Sequence, residues 1–476
     1  MSQTWRLNQP GLIGDRIFWL AACFLCTAIV LGGGGTPNPL PELLLQGVTA
    51  VFALILLVHF WRSTLPANPP LDNAYSTFTW SCGLVTIALA LVALPALQLV
   101  PLPPQWWQTL PGRETLHASL ALVGAADSWR PVSLLPARTL ASLLALGPPL
   151  LLIFMVSQLD HRGRQRLLGV VVLLALATAL LGALQIISGS PALRPYAHTH
   201  DGWLTGFQAN RNATADLLLI GMVALAAWLR EQPPSGQGRW LAASGLALLL
   251  MLAVLLTGSR MGIMLMPLAV IACLVILAPR LTGLNGKRVA AGLAGLGFAA
   301  MAMWLLLRDN AVLGRITSRF AFHHDFRPEL WADTWFAISQ YWPFGVGMGG
   351  FTPALMAAER LEVVDESWPN RAHNDYLELA LEAGAAGIAV LTLVLVVLLA
   401  MIRSAWRRGD ALRGQVLFAL AVLGILAAHS LVDYPLRSLA IASLAAMAVA
   451  MLTPLPRSPS CATANDATPQ NEGLHP

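Results

Sequence analysis

Charge is scarce in this 476-residue chain. Only 11% of the residues are charged, and the chain contains a single lysine, Lys287. Soluble domains usually carry about 25% charged residues, so this composition excludes an ordinary soluble protein. Apolar residues take the place of the missing charge: 56% of the chain is hydrophobic, and the mean hydropathy is +0.65.

Cysteine and cofactor-binding motifs are also sparse. Four of the five cysteines fall inside apolar runs and the fifth lies in the C-terminal tail, so we expect no external disulfide framework. The segment GVGMGG (345–350) lacks the lysine of a phosphate-binding P-loop, and the sequence has no Asp-x-Asp pair. The histidine pairs at 198–200 and 323–324 do not match a specific zinc spacing. We therefore expect an activity that needs neither a metal nor a cofactor.

Apolar runs of about 20 residues, the length that spans a bilayer core, recur along the whole chain. They predict an all-α polytopic membrane protein with about twelve transmembrane helices, in one multi-helix domain over residues 1–453. A large outer loop (308–375) separates the ninth run from the tenth, and the polar tail (454–476) is predicted to be disordered. The runs are roughly 16–34, 42–61, 79–100, 139–157, 168–188, 213–230, 239–257, 261–279, 290–307, 376–402, 413–430 and 436–453.

Arginine sets the predicted orientation of these helices. The connector HRGRQR (161–166) and the stretch 403–413 are strongly basic, and the positive-inside rule places such connectors in the cytoplasm. Both termini then lie in the cytoplasm, and loop 308–375 lies outside. The isoelectric point of about 9.2 is accordingly a sign of membrane topology, and we expect no nucleic acid as a partner.

Ionisable residues near a membrane are costly and are candidates for function. In this topology they collect at the outer boundary in four stretches. GFQANRNATADL (206–217) has Arg211 at the start of the sixth helix, where it is either an interfacial anchor or a binding residue. LLTGSRMGIM (255–264) has Arg260 in a tight turn, and because a turn does not need an arginine, a binding role is favoured.

The third stretch is RAHNDYLELALEAGAAG (371–387). Asp375 is predicted to be the N-cap of the tenth helix, with Glu378 three residues on in a capping-box pattern. His373 lies directly before this helix. Glu378 and Glu382 share one helix face, and the deeper glutamate needs a partner, for which an arginine is the natural choice.

The fourth stretch, AHSLVDYPLR (428–437), connects the last two helices. His429, Asp433 and Arg437 lie at the outer ends of both helices. They form either a capping turn or a set of residues that supports the first three stretches.

In the helix of the third stretch, a Gly-x-x-Gly pattern (384–387) favours tight packing on neighbouring helices.

Arginines and a histidine at the outer mouth of a helical bundle fit one kind of chemistry. ATP is not available on that face, so an enzyme there needs a substrate that is already activated and already in the membrane. A lipid diphosphate meets both conditions. Arginine forks match the diphosphate oxygens and stay protonated, and a histidine can take the proton of an attacking hydroxyl. These residues indicate glycosyl transfer from a polyprenyl diphosphate.

The motifs resemble those of the O-antigen ligase and O-antigen polymerase family of bacterial envelope glycan assembly. The resemblance covers about residues 200–440, and the order of the motifs agrees, as does the long loop before the His-Asn motif. It implies a helical membrane glycosyltransferase of the bacterial inner membrane that moves a glycan from undecaprenyl diphosphate to a hydroxyl acceptor without a metal. The motifs are GFQANRNATADL, TGSRMG (257–262), RPELWADTW (327–335), WPFGVGMGGF (342–351) and RAHNDYLELALEAGAAG.

Carried over to this sequence, the resemblance implies a role for each matching residue. Arg211 and Arg260 would bind the diphosphate, and His373 would be the general base or would position the acceptor. The supporting residues would be Asn374 and Glu378, which shape the site, Asp433 in the last connector, and Arg315, Arg319 and Arg327 in the outer loop as further candidate phosphate contacts.

Several functions stay open at this point. A ligase would transfer the glycan to lipid A–core and a polymerase would transfer it to another lipid-linked repeat, and both share these motifs. A protein-glycosylating relative usually has further recognisable segments, which we do not find here. A transporter of lipid-linked glycans also suits twelve helices, but transporters tend to show repeated halves and polar residues at the midplane. Here the two halves differ, and apart from Asp216 the costly residues gather at the outer edge.

Overall fold

A computed structural model describes residues 10–34, 39–64, 81–233, 237–281, 314, 325–362, 364, 369–409 and 412–456. This part of the chain is mostly helical, in agreement with the composition. A small antiparallel sheet is formed by β1 (Pro101–Leu102) and β2 (Arg130–Pro131), in which Pro101 pairs with Pro131.

The helices before residue 282 are α1 (Pro10–Leu31), α2 (Pro39–Thr64), α3 (Cys82–Gln98), α4 (Pro104–Trp107), α5 (Glu114–Leu122), α6 (Pro136–Ala145), α7 (Gly147–Ser157), α8 (His161–Ser188), a 3-10 turn (Pro191–Leu193), α9 (Arg211–Glu231), α10 (Gln237–Leu256) and α11 (Arg260–Leu281). The helices after residue 325 are α12 (Arg327–Tyr341), α13 (Phe351–Met356), α14 (Asp375–Trp406), α15 (Arg413–His429), a 3-10 turn (Pro435–Arg437) and α16 (Leu439–Met451).

Several of these helices are long and apolar enough to cross a membrane. Among the described residues they are α2, the pair α6 and α7 taken together, α8, α9, α10, α11 and α14, while α3, α15 and α16 are shorter apolar helices. Each predicted apolar run has a matching helix except the run at 290–307, which lies outside the described residues. Parts of loop 308–375 and of the tail lie outside them as well. The count of twelve spans therefore stays a prediction.

Helix α9 lies at the centre of the bundle. Helices α8, α10, α11 and α15 pack against it, and its side chains are buried almost without interruption from Ala213 to Ala227. The side chain of Asn210 caps its N-terminus by accepting a hydrogen bond from the backbone N–H of Asn212 (2.9 Å). The central helix therefore begins with Arg211 and Asn212, and Asp216 lies about one turn deeper.

Helix α14 is interrupted at Gly384, which has φ 56° and ψ −142°. The interruption leaves backbone carbonyls without their helical partners. The carbonyl of Leu381 accepts a hydrogen bond from the N–H of Val346 (3.1 Å), in the GVGMGG segment. The carbonyl of Glu382 accepts one from the next N–H, that of Gly347 (2.9 Å). The GVGMGG segment thus completes the hydrogen bonding of a broken helix.

The reason for glycine at position 384 is steric. A Cβ atom there would lie 2.0 Å from the carbonyl oxygen of Pro343, and the φ value is in the region that favours glycine. The carbonyl of Pro343 in turn accepts a hydrogen bond from the N–H of Ala385 (2.9 Å). The Gly-x-x-Gly pattern was expected to serve helix packing, but at Gly384 it serves a backbone break.

Candidate active site

His373 lies in the turn before α14, in a backbone conformation that is unusual for histidine (φ 48°). Its Nδ1 atom is 2.9 Å from Oδ1 of Asp433. Its ring packs edge-on against Phe326 and Tyr434, with ring centroids 5.3 and 4.9 Å away. Because Nδ1 faces a carboxylate, the ring orientation is fixed and Nε2 is the nitrogen left to face a substrate.

Asp433 is a buried carboxylate with three polar neighbours. Besides His373 at Oδ1, its Oδ2 atom accepts a hydrogen bond from the side chain of Asn212 (2.6 Å) and lies 3.8 Å from Nε2 of His429. Burial raises the pKa of Asp433, but the hydrogen bond and charge of His373, with His429 and Asn212, outweigh burial. The pKa of Asp433 therefore lies below its usual range. Burial raises the pKa of the neighbouring Tyr434 to about 12.

Asn374 caps α14, and the prediction that Asp375 is the N-cap is wrong. The Asn374 side chain accepts hydrogen bonds from the N–H groups of Tyr376 (3.0 Å) and Leu377 (3.1 Å). The Asp375 carboxylate instead accepts a hydrogen bond from the hydroxyl of Ser430 (2.9 Å). This contact ties the start of α14 to the end of α15.

Glu378 and Glu382 are both fully buried, and each has an arginine partner. Glu378 pairs with Arg371 (2.9 Å) and with Arg437 (3.2 Å), and it also accepts a hydrogen bond from the backbone N–H of Ala372 (3.0 Å). Arg437 pairs with Glu382 at 2.8 Å, which confirms that the deeper glutamate has an arginine partner. Burial lowers the pKa of Arg437, but the surrounding carboxylates outweigh burial and raise it above its usual range. Glu378 is thus part of a buried charge network that holds the turn before α14.

Arg260 and Arg327 meet at one carboxylate. Arg260 Nη1 is 3.5 Å and Arg327 Nη1 is 3.3 Å from the same oxygen, Oδ2 of Asp325. Arg260 begins α11 directly after a turn at Gly258 (φ 60°), where a Cβ atom would lie 2.2 Å from the ring of Trp203. Two guanidinium groups from different helices therefore converge on a position that an anion already occupies.

Arg211 contacts the same aromatic ring, that of Trp203. Its guanidinium carbon is 5.3 Å from the ring centroid of Trp203, in the range of a cation–π contact. The residue that follows it, Asn212, binds the Asp433 carboxylate. Phe326, which contacts the His373 ring, stands between Asp325 and Arg327 in the sequence.

The structure therefore brings most of the predicted site residues to one end of the bundle. His373, Asn374, Glu378 and Asp433 form one connected group, and Arg260, Arg327 and Arg211 border it. Arg315 and Arg319 lie outside the described residues. Within the described part of the chain, there is no group of three or more His, Cys, Asp or Glu side chains that could hold a metal ion.

Sequence reasoning did not single out three residues of this region. Asn212 follows Arg211 in the first stretch and was given no role in the site, although its amide links α9 to Asp433. Arg371 stands at the start of the third stretch and could have been offered as a partner for Glu378. Asp325 carried no signal, since a lone aspartate in a loop is usually a solvated residue.

The fold and the site define a polytopic helical membrane protein with a histidine–aspartate pair beside converging arginines. Residues 245–392 match the family model Wzy_C, described as O-Antigen ligase. This match supports assigning the region to the O-antigen ligase and polymerase family, in agreement with the family resemblance of the motifs. The matched region includes Arg260 and His373, whereas Arg211 and Asp433 lie outside it. No curated protein gives a match to the chain.

Proposed function

We propose that the protein is a glycan ligase of the bacterial inner membrane. It transfers a glycan from undecaprenyl diphosphate to a hydroxyl group of lipid A–core on the periplasmic side. The observation that carries this proposal is the pairing of His373 with Asp433, next to arginines that converge from two helices on one anion position. The match to the O-antigen ligase family model supports the same class of reaction.

His373 acts as the general base in this proposal. With Nδ1 donating to Asp433, the neutral ring has its lone pair on Nε2. The acceptor oxygen forms a bond to the anomeric carbon of the donor sugar, while the bond from that carbon to the phosphate oxygen breaks. The electron pair of the broken bond leaves with undecaprenyl diphosphate, and the hydroxyl proton passes to Nε2. The resulting imidazolium is stabilised by the Asp433 carboxylate.

The arginines bind the diphosphate and stabilise the charge that grows on it as it leaves. Arg260 and Arg327 now face the Asp325 carboxylate, which stands where a phosphate oxygen would be bound. A guanidinium group presents its donors in a plane that matches phosphate oxygens. Arg211, over the ring of Trp203, adds a third positive group at the start of the central helix.

A polymerase would use the same residues with a different acceptor, a second lipid-linked repeat. The two activities differ in what accumulates when the protein is absent. The test is therefore the length distribution of undecaprenyl-linked glycans in cells that lack this gene. Long chains left on the lipid support the ligase, and single repeats alone would replace it with the polymerase.

The catalytic part of the proposal is tested by His373→Ala in the same cells. We expect the variant to accumulate in the membrane in normal amount and to lose glycan transfer. Transfer that persists in this variant would contradict the role of His373 as the base. A transporter would lose movement of the lipid-linked glycan instead, so unligated glycan would stay on the cytoplasmic face.

A further inference from the structure

A second histidine–aspartate pair lies behind the first one and has no part in the transfer step. Nδ1 of His429 is 2.7 Å from Oδ1 of Asp216, and both side chains are almost fully buried (1% and 0% exposed). Nε2 of the same ring is 3.8 Å from Oδ2 of Asp433, the carboxylate that pairs with His373. The four side chains form a row that runs from the candidate site into the bundle.

The charges in this row favour a protonated ring at His429. A buried carboxylate needs a cation or hydrogen-bond donors to offset its lost hydration. Oδ2 of Asp216 is buried and has no hydrogen-bond partner among the described residues, so the compensation comes from the His429 ring. Each ring nitrogen faces a carboxylate, Nδ1 at 2.7 Å within hydrogen-bond reach and Nε2 at the ion-pair distance of 3.8 Å, and only the imidazolium form has an N–H on both nitrogens. A neutral ring would turn a lone pair toward one of the two carboxylates.

The connection between this pair and the site is structural as well as electrostatic. Asp216 lies four residues after Asn212 on α9, so the two side chains share one helix face. Asn212 on α9 donates a hydrogen bond to Oδ2 of Asp433 (2.6 Å). His429 on the adjacent helix α15 lies 3.8 Å from the same oxygen. The Asp433 carboxylate is thus held between two elements of the core, and its other oxygen is free to hold His373.

We propose that His429, paired with Asp216, is a positioning residue that fixes the Asp433 carboxylate and offsets part of its charge. His373 then keeps the orientation in which Nε2 faces the acceptor. This inference rests on the proposed role of His373 as the base. The charged groups that act on the His429 ring in the described structure are Asp216 on α9, Asp433 after α15 and Arg327 on α12.

The proposal predicts a specific change when the charge of His429 is removed. The Asp433 carboxylate would then act on His373 without an opposing positive charge, and His373 would hold its proton more tightly. The acid limb of the pH–rate profile should move to higher pH by about 0.5–1 unit. The value of kcat at a pH below this limb should fall about three- to tenfold, the factor that corresponds to a shift of about 0.5–1 unit.

The decisive variant is the double change Asp216→Asn with His429→Gln. It replaces a charged buried pair with a neutral one that can still form a hydrogen bond, so no buried carboxylate is left unpaired. The assay uses full-length protein in proteoliposomes, an undecaprenyl diphosphate-linked oligosaccharide as donor and lipid A–core as acceptor. We expect an unchanged KM for the donor, the lower kcat and the shifted acid limb.

The matched control is His161→Gln, the same substitution at the first residue of α8, beside the C-terminal end of α9. His161 contacts Gln415 (2.9 Å) and pairs with Glu231 (3.5 Å), far along the chain from the site. This variant should keep the wild-type kcat and pH profile. A double variant that also keeps both would overturn the proposal, because the buried pair would then have only a structural role.

Two further variants make the experiment interpretable if the double variant does not fold, and separate this inference from the proposed function. If the double variant does not accumulate in the membrane, kcat is measured for Asp216→Asn alone, because this variant keeps the histidine and the shape of the pair. An unchanged kcat in Asp216→Asn would overturn the proposal. His373→Ala is measured alongside. Activity in His373→Ala would refute the proposed function itself, whereas wild-type behaviour of the Asp216 and His429 variants with an inactive His373→Ala would refute only this inference.

Discussion

Arg437 compensates the acidic start of α14, and replacing it with methionine should destabilise the fold. Its guanidinium lies 3.6 Å from Asp375, 3.2 Å from Glu378 and 2.8 Å from Glu382. The arginine side chain is 16% exposed and both glutamates are fully buried. Methionine keeps the apolar part of the side chain and removes the charge and the donors. Arg437→Met therefore isolates the electrostatic contribution.

The expected magnitude follows from what each carboxylate retains. Glu378 keeps its pair with Arg371 (2.9 Å) and the N–H of Ala372 (3.0 Å). Glu382 keeps only the backbone N–H of Gly349 (2.8 Å) among its described partners. Removing one partner of a buried ion pair costs about 3–5 kcal/mol, because the other charge stays buried and uncompensated. Since one glutamate retains an arginine, we expect about 3 kcal/mol, the lower end of that range.

The assay is the thermal midpoint of the purified protein in detergent, followed by the loss of the monodisperse peak in size-exclusion chromatography. Arg437→Met should lower the midpoint clearly, and adding Glu382→Gln should restore most of the loss because no unpaired carboxylate remains. The control is Arg166→Met, which breaks a solvent-exposed pair with Asp15 (2.5 Å, side chains 37% and 55% exposed) and should have little effect. Equal losses in the two methionine variants, or no recovery with Glu382→Gln, would refute this reasoning.

Three other changes test separate parts of the structure. Arg260→Lys keeps the charge but loses the planar fork, so glycan transfer should fall at least about tenfold in membranes with normal protein content; full activity would mean a purely structural arginine. Gly384→Ala forces a Cβ atom to 2.0 Å from a carbonyl oxygen and should abolish accumulation of folded protein, while Gly424→Ala, with no atom within 4 Å of the added Cβ, should accumulate normally on an immunoblot. Because the pKa of Asp433 is lowered, its stabilising effect is complete above pH of about 4 and is lost as the pH falls further. Asp433→Asn should therefore show a flatter thermal midpoint between pH 5 and 3 than the wild type.

The helices were predictable because their signal is local. Long apolar runs with the length of a bilayer core need no knowledge of the tertiary structure, and each run within the described residues has a matching helix. Arg260 and His373 were found because they lie at the ends of apolar runs, where an ionisable group needs a reason, whereas Arg327 in the outer loop was offered only on the family resemblance. The same reasoning did not say which carboxylate each arginine would meet.

What the sequence did not decide depends on contacts between distant segments. Asn374 and Asp375 are both good N-cap residues, and the structure selects Asn374 because Ser430, 55 residues away, binds the Asp375 carboxylate. The break at Gly384 is likewise invisible in a helical pattern, since its cause is the segment from Pro343 to Gly347 that fills it. In each case the local sequence is compatible with two backbone structures, and a contact with a distant segment determines which one forms.

The acidic groups around the site divide into two sets with different consequences for a diphosphate. Glu378 and Glu382 are bound tightly by arginines at 2.9 and 2.8 Å, and Asp433 faces histidines, so none of these three carboxylates competes for Arg260 or Arg327. Those two arginines share the single carboxylate of Asp325 at the longer distances of 3.5 and 3.3 Å. A diphosphate offers more oxygens and more negative charge than one carboxylate, so it can displace Asp325 without disturbing the buried pairs. The tight pairs keep the helix ends in place, and the loose one leaves room for the substrate that we propose.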